Sequence, residues 1–175
     1  FTMKEENMRN HLRNIKKYVC GGKILEVGSA MGSFLKVATE DGFEVFGVDL
    51  SDEACQIAKS QVDPQHVFND VLENVELGIE TMDVIFMSDL IEHIPEPGPF
   101  LDRLHKILKN KGLLYIITPD PDHWSFSLTG KNWLHFKDEH LMFYSTRAFN
   151  WIAENYGFKL VENSSAKKYT NLHYL

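Results

Sequence analysis

Short apolar runs that alternate with helical patterns are the feature that most limits how this chain can fold. Four such runs occupy 24–27, 45–48, 84–87 and 113–117, and each is followed by a turn and usually by a stretch with helical spacing. Strands and helices in this alternating order form βαβ units, whose strands lie parallel in one sheet. The sequence therefore predicts an α/β fold with a doubly wound, mostly parallel sheet and helices on both of its faces.

The other elements are predicted from hydrophobic spacing and from residues that start or end helices. The segment 1–20 is expected to form an amphipathic helix that packs as a lid or flank. Ser33 and Ser51 are expected to cap helices, and Gly112 is expected to close a third. The remaining predictions are a short strand at 66–68, a helix at 146–155, a strand at 158–161, and a tail from 163 that is either another edge strand or incomplete.

The end of the first strand combines a glycine-rich turn with an acidic residue, in the segment Glu26-Val27-Gly28-Ser29-Ala30-Met31-Gly32. Glycines let the backbone turn sharply and approach a ligand, and the following helix presents free N–H groups. In an open parallel sheet, ligands bind at this edge. A dinucleotide site would prefer G-x-G-x-x-G, whereas this chain has G-x-x-x-G. In addition, the carboxylate of Glu26 suits a cofactor with positive charge better than one with phosphate.

A second acidic residue follows at the end of the next strand. Asp49 lies 21 residues after Gly28, and a carboxylate at this point can accept hydrogen bonds from both hydroxyls of a ribose. Together with Glu26, it predicts a cofactor that contains both a nucleoside and a cation.

These motifs resemble the class I S-adenosylmethionine (SAM)-dependent methyltransferases over roughly residues 20–162. In addition, 69–71 is similar to the segment that contacts adenine, 83–89 to the fourth-strand motif, and 111–114 to the turn into strand five. Ala30 departs from the family, which most often has a second glycine there. The resemblance implies a Rossmann-like fold with a mostly parallel seven-stranded sheet, whose last strand is either complete or incomplete. It also implies methyl transfer from SAM to oxygen or nitrogen of a small molecule, with S-adenosylhomocysteine as the product.

The resemblance also implies the residues of the site. Those expected to bind the donor are Glu26, Gly28, Ser29, Ala30, Gly32, Phe34, Asp49, Leu50, Asp70, Val71, Ser88, Asp89 and His93. His93 and His140 are the candidates for catalysis, because histidine titrates near neutral pH and can remove a proton from the acceptor. The aromatic residues that either wall an acceptor pocket or form a small core of their own are Trp124, Phe126, Trp133, Phe136 and Phe143.

A divalent metal is an alternative that the sequence leaves open but does not favour. On a helical turn, Asp89, Glu92 and His93 would share one face. With 138–140, they resemble the metal-assisted 2′-O-methyltransferases of small RNAs and the ubiquinone-pathway O-methyltransferases, in which an E-x-x-E-H motif and a distant histidine hold the ion. Asp89 replaces the first glutamate of that motif, and the simpler interpretation is that Glu92 and His93 line the cofactor pocket.

Composition narrows the choice of partners. The 18 basic and 25 acidic residues give a formal charge of −7, which repels nucleic acid and favours a small-molecule substrate. No apolar run approaches the roughly 20 residues that span a membrane, and no cleavage pattern opens the chain, so a soluble, cytoplasmic protein is expected. We expect one domain over 1–175, as a monomer or homodimer, with a substrate-side insertion at 120–145. Cys20 and Cys55 are expected to be reduced thiols.

Three other functions stay open at this level. An NAD-dependent reductase is disfavoured by the G-x-x-x-G spacing and by Glu26. Ala30 leaves open a catalytically silent SAM-binding module. A metal-assisted RNA 2′-O-methyltransferase is opposed by the acidic charge but supported by four residues: Asp89, Glu92, His93 and His140.

Overall fold

A computed structural model describes residues 3–129, 137–164 and 169–174. The elements, in chain order, are α1 (Met3–Ile15), β1 (Lys23–Val27), α2 (Ser33–Glu40), β2 (Glu44–Asp49), α3 (Asp52–Lys59), β3 (Val67–Asn69), β4 (Met82–Ser88), α4 (Pro97–Ile107), β5 (Leu108–Ile117), α5 (Trp124–Thr129), α6 (Thr146–Asn155), β6 (Phe158–Ser164) and β7 (Tyr169–Tyr174). Two short 3₁₀ turns lie at Pro64–His66 and Ile91–His93. None of the helices in these ranges has the length and apolar character needed to cross a membrane.

The sheet has the strand order β3-β2-β1-β4-β5-β7-β6. Strands β3, β2, β1, β4 and β5 are parallel to their neighbours. Strands β2 and β3 lie on one side of β1, and β4 and β5 lie on its other side. The direction in which successive strands are added therefore reverses between β1 and β4. Their carboxyl ends form the crevice where ligands bind in such sheets. The prediction of a Rossmann-like, mostly parallel sheet is confirmed.

The last two strands pair in the opposite sense. β7 is antiparallel to β5 on one side and to β6 on the other. The tail strand therefore lies inside the sheet and β6 forms its edge, so the expectation that the tail adds another edge strand is wrong. Two antiparallel strands need only a short connection, and this lets the tail fold back between β5 and β6.

Two hydrophobic clusters cover the sheet. One joins α1, α2 and α3 to one face and includes Ile15, Phe34 and Phe86, and the other joins α4 and α6 to the opposite face and includes Leu104 and Phe149. Because both faces are covered, the central strands are apolar along most of their length. Helices on both faces were expected from the βαβ pattern, and this prediction is confirmed.

Three predicted helix boundaries can be compared with the structure. Ser51 caps α3 as expected, since its Oγ accepts from the backbone N–H of Ala54. Ser33 does not cap α2: it is the first helical residue, and Gly32, in a left-handed conformation with φ of 76°, occupies the capping position. Gly112 does not close α4, which ends at Ile107, because the chain passes directly into the extended conformation of β5.

The segment 120–145 is less irregular than its sequence indicates. It contains the short helix α5 at Trp124–Thr129. Trp124 is exposed and Phe143 is half-buried, so neither belongs to the buried cores. The predicted wall residues Trp133 and Phe136 lie outside the described residues.

Candidate functional site

Hydrogen bonds to β2 close the glycine turn that follows β1. The N–H groups of Gly28 and Ser29 donate to one carbonyl oxygen of β2 at 2.8 and 3.1 Å, and the Ala30 N–H donates to Oδ2 of Asp49 at 2.7 Å. The Gly32 N–H donates to the backbone oxygen of Ser29. These four N–H groups are therefore used within the protein.

Three residues of this turn have a left-handed backbone. The φ angles are 77° at Gly28, 43° at Ala30 and 76° at Gly32. A Cβ atom on Gly32 would lie 2.9 Å from the Cβ of Ala58, so α3 packs directly against the bare backbone there. The left-handed conformation is sterically strained at Ala30, whereas a glycine would adopt it without strain.

Replacing Ala30 by glycine is expected to stabilise the protein by about 0.5–1 kcal/mol, because glycine adopts the left-handed conformation without steric conflict. For a chain of this size, the melting temperature should rise by about 1–4 °C. Thermal unfolding followed by circular dichroism measures the change. Ala54→Gly, in α3, is the matched control and should lower the melting temperature. An unchanged or lower value for Ala30→Gly would contradict the strain assigned to Ala30.

Glu26 is a buried acid at the carboxyl end of β1. It is 7% exposed, and its Oε2 has no hydrogen-bond partner among the described residues. Burial raises the pKa of this carboxyl group well above its usual value, and the charge of Asp49 raises it further, whereas Lys4 and the Leu35 N–H lower it. The Oγ of Ser29 is also buried without a partner in the described chain. A buried acid with an open oxygen is suited to a cationic ligand that compensates its charge.

A cavity of about 180 Å³ opens beside β2 at the carboxyl edge of the sheet. Five predicted donor-site residues line it together with apolar residues: Gly28, Asp49, Leu50, Asp70 and Val71. Hydrogen bonds fix the two acids, since Asp49 accepts from the Ser51 N–H at 2.9 Å and Asp70 accepts from the Asn74 amide at 2.8 Å. An apolar slot with carboxylates at its rim is suited to a nucleoside.

Phe34 and His93 are among the predicted donor-site residues that do not line this cavity. Phe34 is 1% exposed, and its ring packs against that of Phe86 with centroids 4.1 Å apart. Its side chain is part of the hydrophobic core, because it faces the sheet from α2. His93 is not among the lining residues and instead joins a polar cluster.

The end of β4 is held against β5. The Asp89 N–H donates to the backbone oxygen of Ile117 at 2.8 Å, and the Ser88 hydroxyl donates to Oδ2 of Asp89 at 2.9 Å. Asp89 has a positive φ of 50°, a second strained non-glycine residue at this edge of the sheet. Ser88 and Asp89 therefore occupy fixed positions across the crevice from the glycine turn.

The polar cluster consists of Glu92, His93 and His140. One ligand atom from each lies within 4.8 Å of the others. Glu92 is fully buried: its Oε2 accepts from the Thr118 hydroxyl at 2.9 Å, and its Oε1 has no partner in the described part of the chain. Nδ1 of His93 lies 2.8 Å from the backbone oxygen of Glu139, which fixes the ring. The two histidine rings meet edge to face with centroids 4.8 Å apart.

Burial dominates the electrostatics of this cluster. It raises the pKa of Glu92, although the hydrogen bond from Thr118 lowers it. Burial and then the charge of Glu92 raise the pKa of Tyr144 to about 12. Asp89 does not belong to the cluster, so the expectation that Asp89, Glu92 and His93 share one helical face is wrong. The reason is local: Asp89 precedes the 3₁₀ turn that carries the other two residues.

Thr118 and Lys4 are absent from the sequence-based site. Thr118, whose hydroxyl donates to Glu92, directly follows β5 at the carboxyl edge of the sheet, and this position could have indicated that it belongs to the site. The charge of Lys4 lowers the pKa of Glu26, and no local sequence pattern indicates this long-range effect.

Known proteins match this chain in both sequence and fold. A family model described as a methyltransferase domain matches residues 2–163. A ubiquinone biosynthesis O-methyltransferase from Bradyrhizobium diazoefficiens is 29% identical over 126 residues, which cover 69% of this chain and 49% of that protein. The chain thus spans about half the length of the curated relatives it matches.

Two solved structures support the fold alone. A SAM-dependent methyltransferase from Aquifex aeolicus has a TM-score of 0.69 at 20% identity and covers 98% of this chain and 92% of its own. One from Thermotoga maritima has a TM-score of 0.70 at 18% identity, with coverages of 95% and 87%.

Proposed function

The chain belongs to the class I SAM-dependent methyltransferases, and from this premise we propose that it transfers a methyl group from SAM to oxygen or nitrogen of a small molecule. The observation that carries the proposal is the arrangement of Glu26, Asp49 and Asp70 at the carboxyl ends of the neighbouring parallel strands β1, β2 and β3. Residues 1–175 act in this proposal as one methyltransferase domain, with 120–145 on the substrate side.

The donor fits the residues at this edge. Asp49 would accept hydrogen bonds from the ribose hydroxyls, and Asp70 would lie beside the adenine in the cavity that Leu50 and Val71 line. The open oxygen of Glu26 would face the positively charged methionine end. When bound, SAM supplies an electrophilic methyl group on a sulfonium. A phosphate-bearing dinucleotide would instead meet a buried acid at the turn, which disfavours the reductase alternative.

Transfer is an in-line displacement, so the chain must align the acceptor and remove its proton where it carries one. We assign the proton transfer to His93 or His140. The contact with the Glu139 carbonyl fixes the ring of His93, and Glu92 lies beside both histidines. Neutral imidazole accepts the proton from the acceptor and later releases it to water.

The acceptor is proposed to be a small molecule, and oxygen is the favoured atom. The acidic net charge of −7 opposes a nucleic-acid substrate. The relatives that match include ubiquinone biosynthesis O-methyltransferases, although the chain spans about half their length. These two observations support a neutral or cationic metabolite with a hydroxyl group.

Isothermal titration calorimetry with SAM tests the donor assignment. We expect saturable binding of SAM and S-adenosylhomocysteine and no saturable fluorescence change with NADH. Absence of SAM binding at high micromolar concentration would refute the proposal. Release of S-adenosylhomocysteine with a panel of phenols, quinols, sugars and amines then separates an enzyme from a silent SAM-binding module.

The gathering of Glu92, His93 and His140 favours a second candidate mechanism, in which a divalent ion activates the acceptor hydroxyl. With an acceptor identified, His140→Ala is expected to lower kcat about a hundredfold or more under either mechanism, with unchanged SAM affinity. A chelator decides between them. Activity that survives EDTA supports the base, whereas activity that is lost and then restored by Mg²⁺ or Mn²⁺ supports the metal. An unchanged kcat in His140→Ala would show that His140 takes part in neither the base mechanism nor the metal mechanism.

A further inference from the structure

A groove between α4 and α6 lies apart from the cavity beside β2. Its volume is about 460 Å³, within the range of small-molecule pockets. Pro97 and Leu101 of α4 form one side of the groove, and residues of α6 form the other. None of the described residues that line it also lines the cavity beside β2. The groove is therefore a second concave surface, separate from the proposed nucleoside site.

Aromatic rings shape this groove. Trp151 is 56% exposed, and its ring meets that of Tyr156 edge to face with centroids 6.1 Å apart. The Tyr156 hydroxyl reaches from α6 to the start of α4, since a Cβ atom on Gly98 would lie 3.2 Å from it. The buried residues Tyr144 and Ile152 also line the groove. Rings arranged in this way suit a flat apolar ligand that packs against them face to face or edge to face.

Arg147 is the one charged residue among the described residues that line the groove. It lies four residues before Trp151 on α6, so the two side chains share one face of the helix. Arg147 makes no ion pair in the described ranges. A guanidinium group binds a carboxylate through two parallel hydrogen bonds. The groove is therefore complementary to an apolar ligand with one carboxylate.

The N-terminus of α6 contributes little to the recognition of an anion. Oδ2 of Asp122 accepts from the Thr146 N–H at 2.8 Å, and Oγ of Ser145 accepts from the Ala148 N–H at 3.2 Å. These acceptors satisfy two N–H groups of the first helical turn, and the charge of Asp122 opposes the helix dipole. The guanidinium group of Arg147 is therefore the feature that favours an anion here.

We propose that the groove between α4 and α6 binds an aromatic monocarboxylate with one or two rings. The rings pack against Trp151 and Tyr156, and Arg147 binds the carboxylate. Burial of the rings supplies most of the affinity, and Arg147 distinguishes the acid from a neutral molecule of the same shape. The proposal goes beyond methyl transfer and does not depend on it, because the groove shares none of its described lining residues with the cavity beside β2.

Calorimetry with 2-naphthylacetate and its neutral analogue 2-naphthylacetamide tests the proposal, since the two probes share their rings and differ in charge. The wild type is expected to bind the acid saturably and about fivefold or more tightly than the amide, because the exposed guanidinium group is partly screened. Arg147→Gln should weaken binding of the acid to the level of the amide and change binding of the amide less than about twofold. Trp151→Ala should weaken both probes about fivefold or more.

Two further variants separate recognition at Arg147 from general charge. Lys106→Gln removes an exposed lysine of α4 that does not line the groove, so this matched control should bind both probes as the wild type does. Arg147→Lys keeps the charge but loses the planar fork, and it should retain part of the preference for the acid. Arg147 and Trp151 are both exposed, so all variants are expected to fold and to melt close to the wild type.

Three results would overturn the proposal. The first is absence of saturable binding of 2-naphthylacetate to the wild type at millimolar concentration, and the second is equal affinity of the wild type for the acid and the amide. The third is wild-type affinity for the acid in Arg147→Gln. If sedimentation showed a wild-type dimer that Trp151→Ala dissociates, and the wild type bound neither probe, the groove would be an interface between two copies of the chain instead.

Discussion

Replacing Glu26 by glutamine is expected to raise the stability of the free protein at neutral pH and to weaken SAM binding about a hundredfold or more. The side chain is 7% exposed, and one carboxylate oxygen has no partner among the described residues. Glutamine removes the buried charge, which should stabilise the protein by about 1–3 kcal/mol. It also removes the counter-charge for the donor's ammonium group, and charge-assisted bonds of this kind contribute about 1.5–3 kcal/mol each, before the loss of long-range attraction.

The pH dependence of stability follows from the same group. The folded-state pKa of Glu26 lies well above its usual value of 4.5, chiefly because of burial and then because of the Asp49 charge. Between the unfolded and folded pKa values, the folded state therefore binds more protons than the unfolded state does. Stability contributed by Glu26 is full below the unfolded pKa and falls as the pH rises through the folded pKa. The Lys4 charge reduces this effect but does not reverse it.

Thermal unfolding of the free wild type and of Glu26→Gln at several pH values checks this expectation. The difference between them should widen in favour of the variant as the pH increases from about 4.5 toward neutrality. Glu53→Gln, which replaces an exposed acid in α3, is the matched control and should show no such trend. A Glu26→Gln protein that is less stable at neutral pH and binds SAM normally would contradict both parts.

The local order of the donor site could be predicted from the sequence. Glu26 and Asp49 lie at the carboxyl ends of β1 and β2, and the glycine turn and Asp70 directly follow β1 and β3. Parallel strands bring their carboxyl ends to one edge. Hydrophobic periodicity was therefore enough to place these residues together. The Ser51 cap was predictable for the same reason, because its hydrogen bond spans only three residues.

The contacts that hydrophobic periodicity did not predict are long-range or depend on turn geometry. Only the resemblance to metal-assisted methyltransferases suggested that His140 lies with Glu92 and His93. In the structure, the backbone oxygen of Glu92 accepts from the N–H groups of Leu141 and Met142, a pairing that no periodicity encodes. Similarly, the contact between His11 and the Tyr115 hydroxyl depends on how α1 packs across the sheet. Asp89 was placed with the wrong partners because a 3₁₀ turn, rather than an α-helix, follows it. Short irregular turns carry too few residues to show a period.

Replacing Asp49 by alanine is expected to affect a different part of the donor. Its carboxylate accepts from the N–H groups of Ala30 and Ser51 and would also hold the ribose hydroxyls. The variant should therefore lose about a hundredfold or more in affinity for SAM, S-adenosylhomocysteine and 5′-methylthioadenosine alike, since all three carry the ribose. Loss of the two protein bonds should also destabilise the free protein by about 1–3 kcal/mol.

Comparison of the two variants assigns each acid to one end of the donor. Glu26→Gln should retain binding of 5′-methylthioadenosine, which lacks the ammonium group, whereas Asp49→Ala should lose it. Calorimetry with this probe separates the two roles, and Asp52→Ala, an exposed acid three residues further along, controls for the change in net charge. Asp49→Asn refines the result: its amide oxygen can still accept from one backbone N–H, so it should recover more of the stability than of the ribose affinity. If Asp49→Ala bound methylthioadenosine as the wild type does, the ribose would have to lie elsewhere, and the cavity beside β2 could not be the nucleoside site.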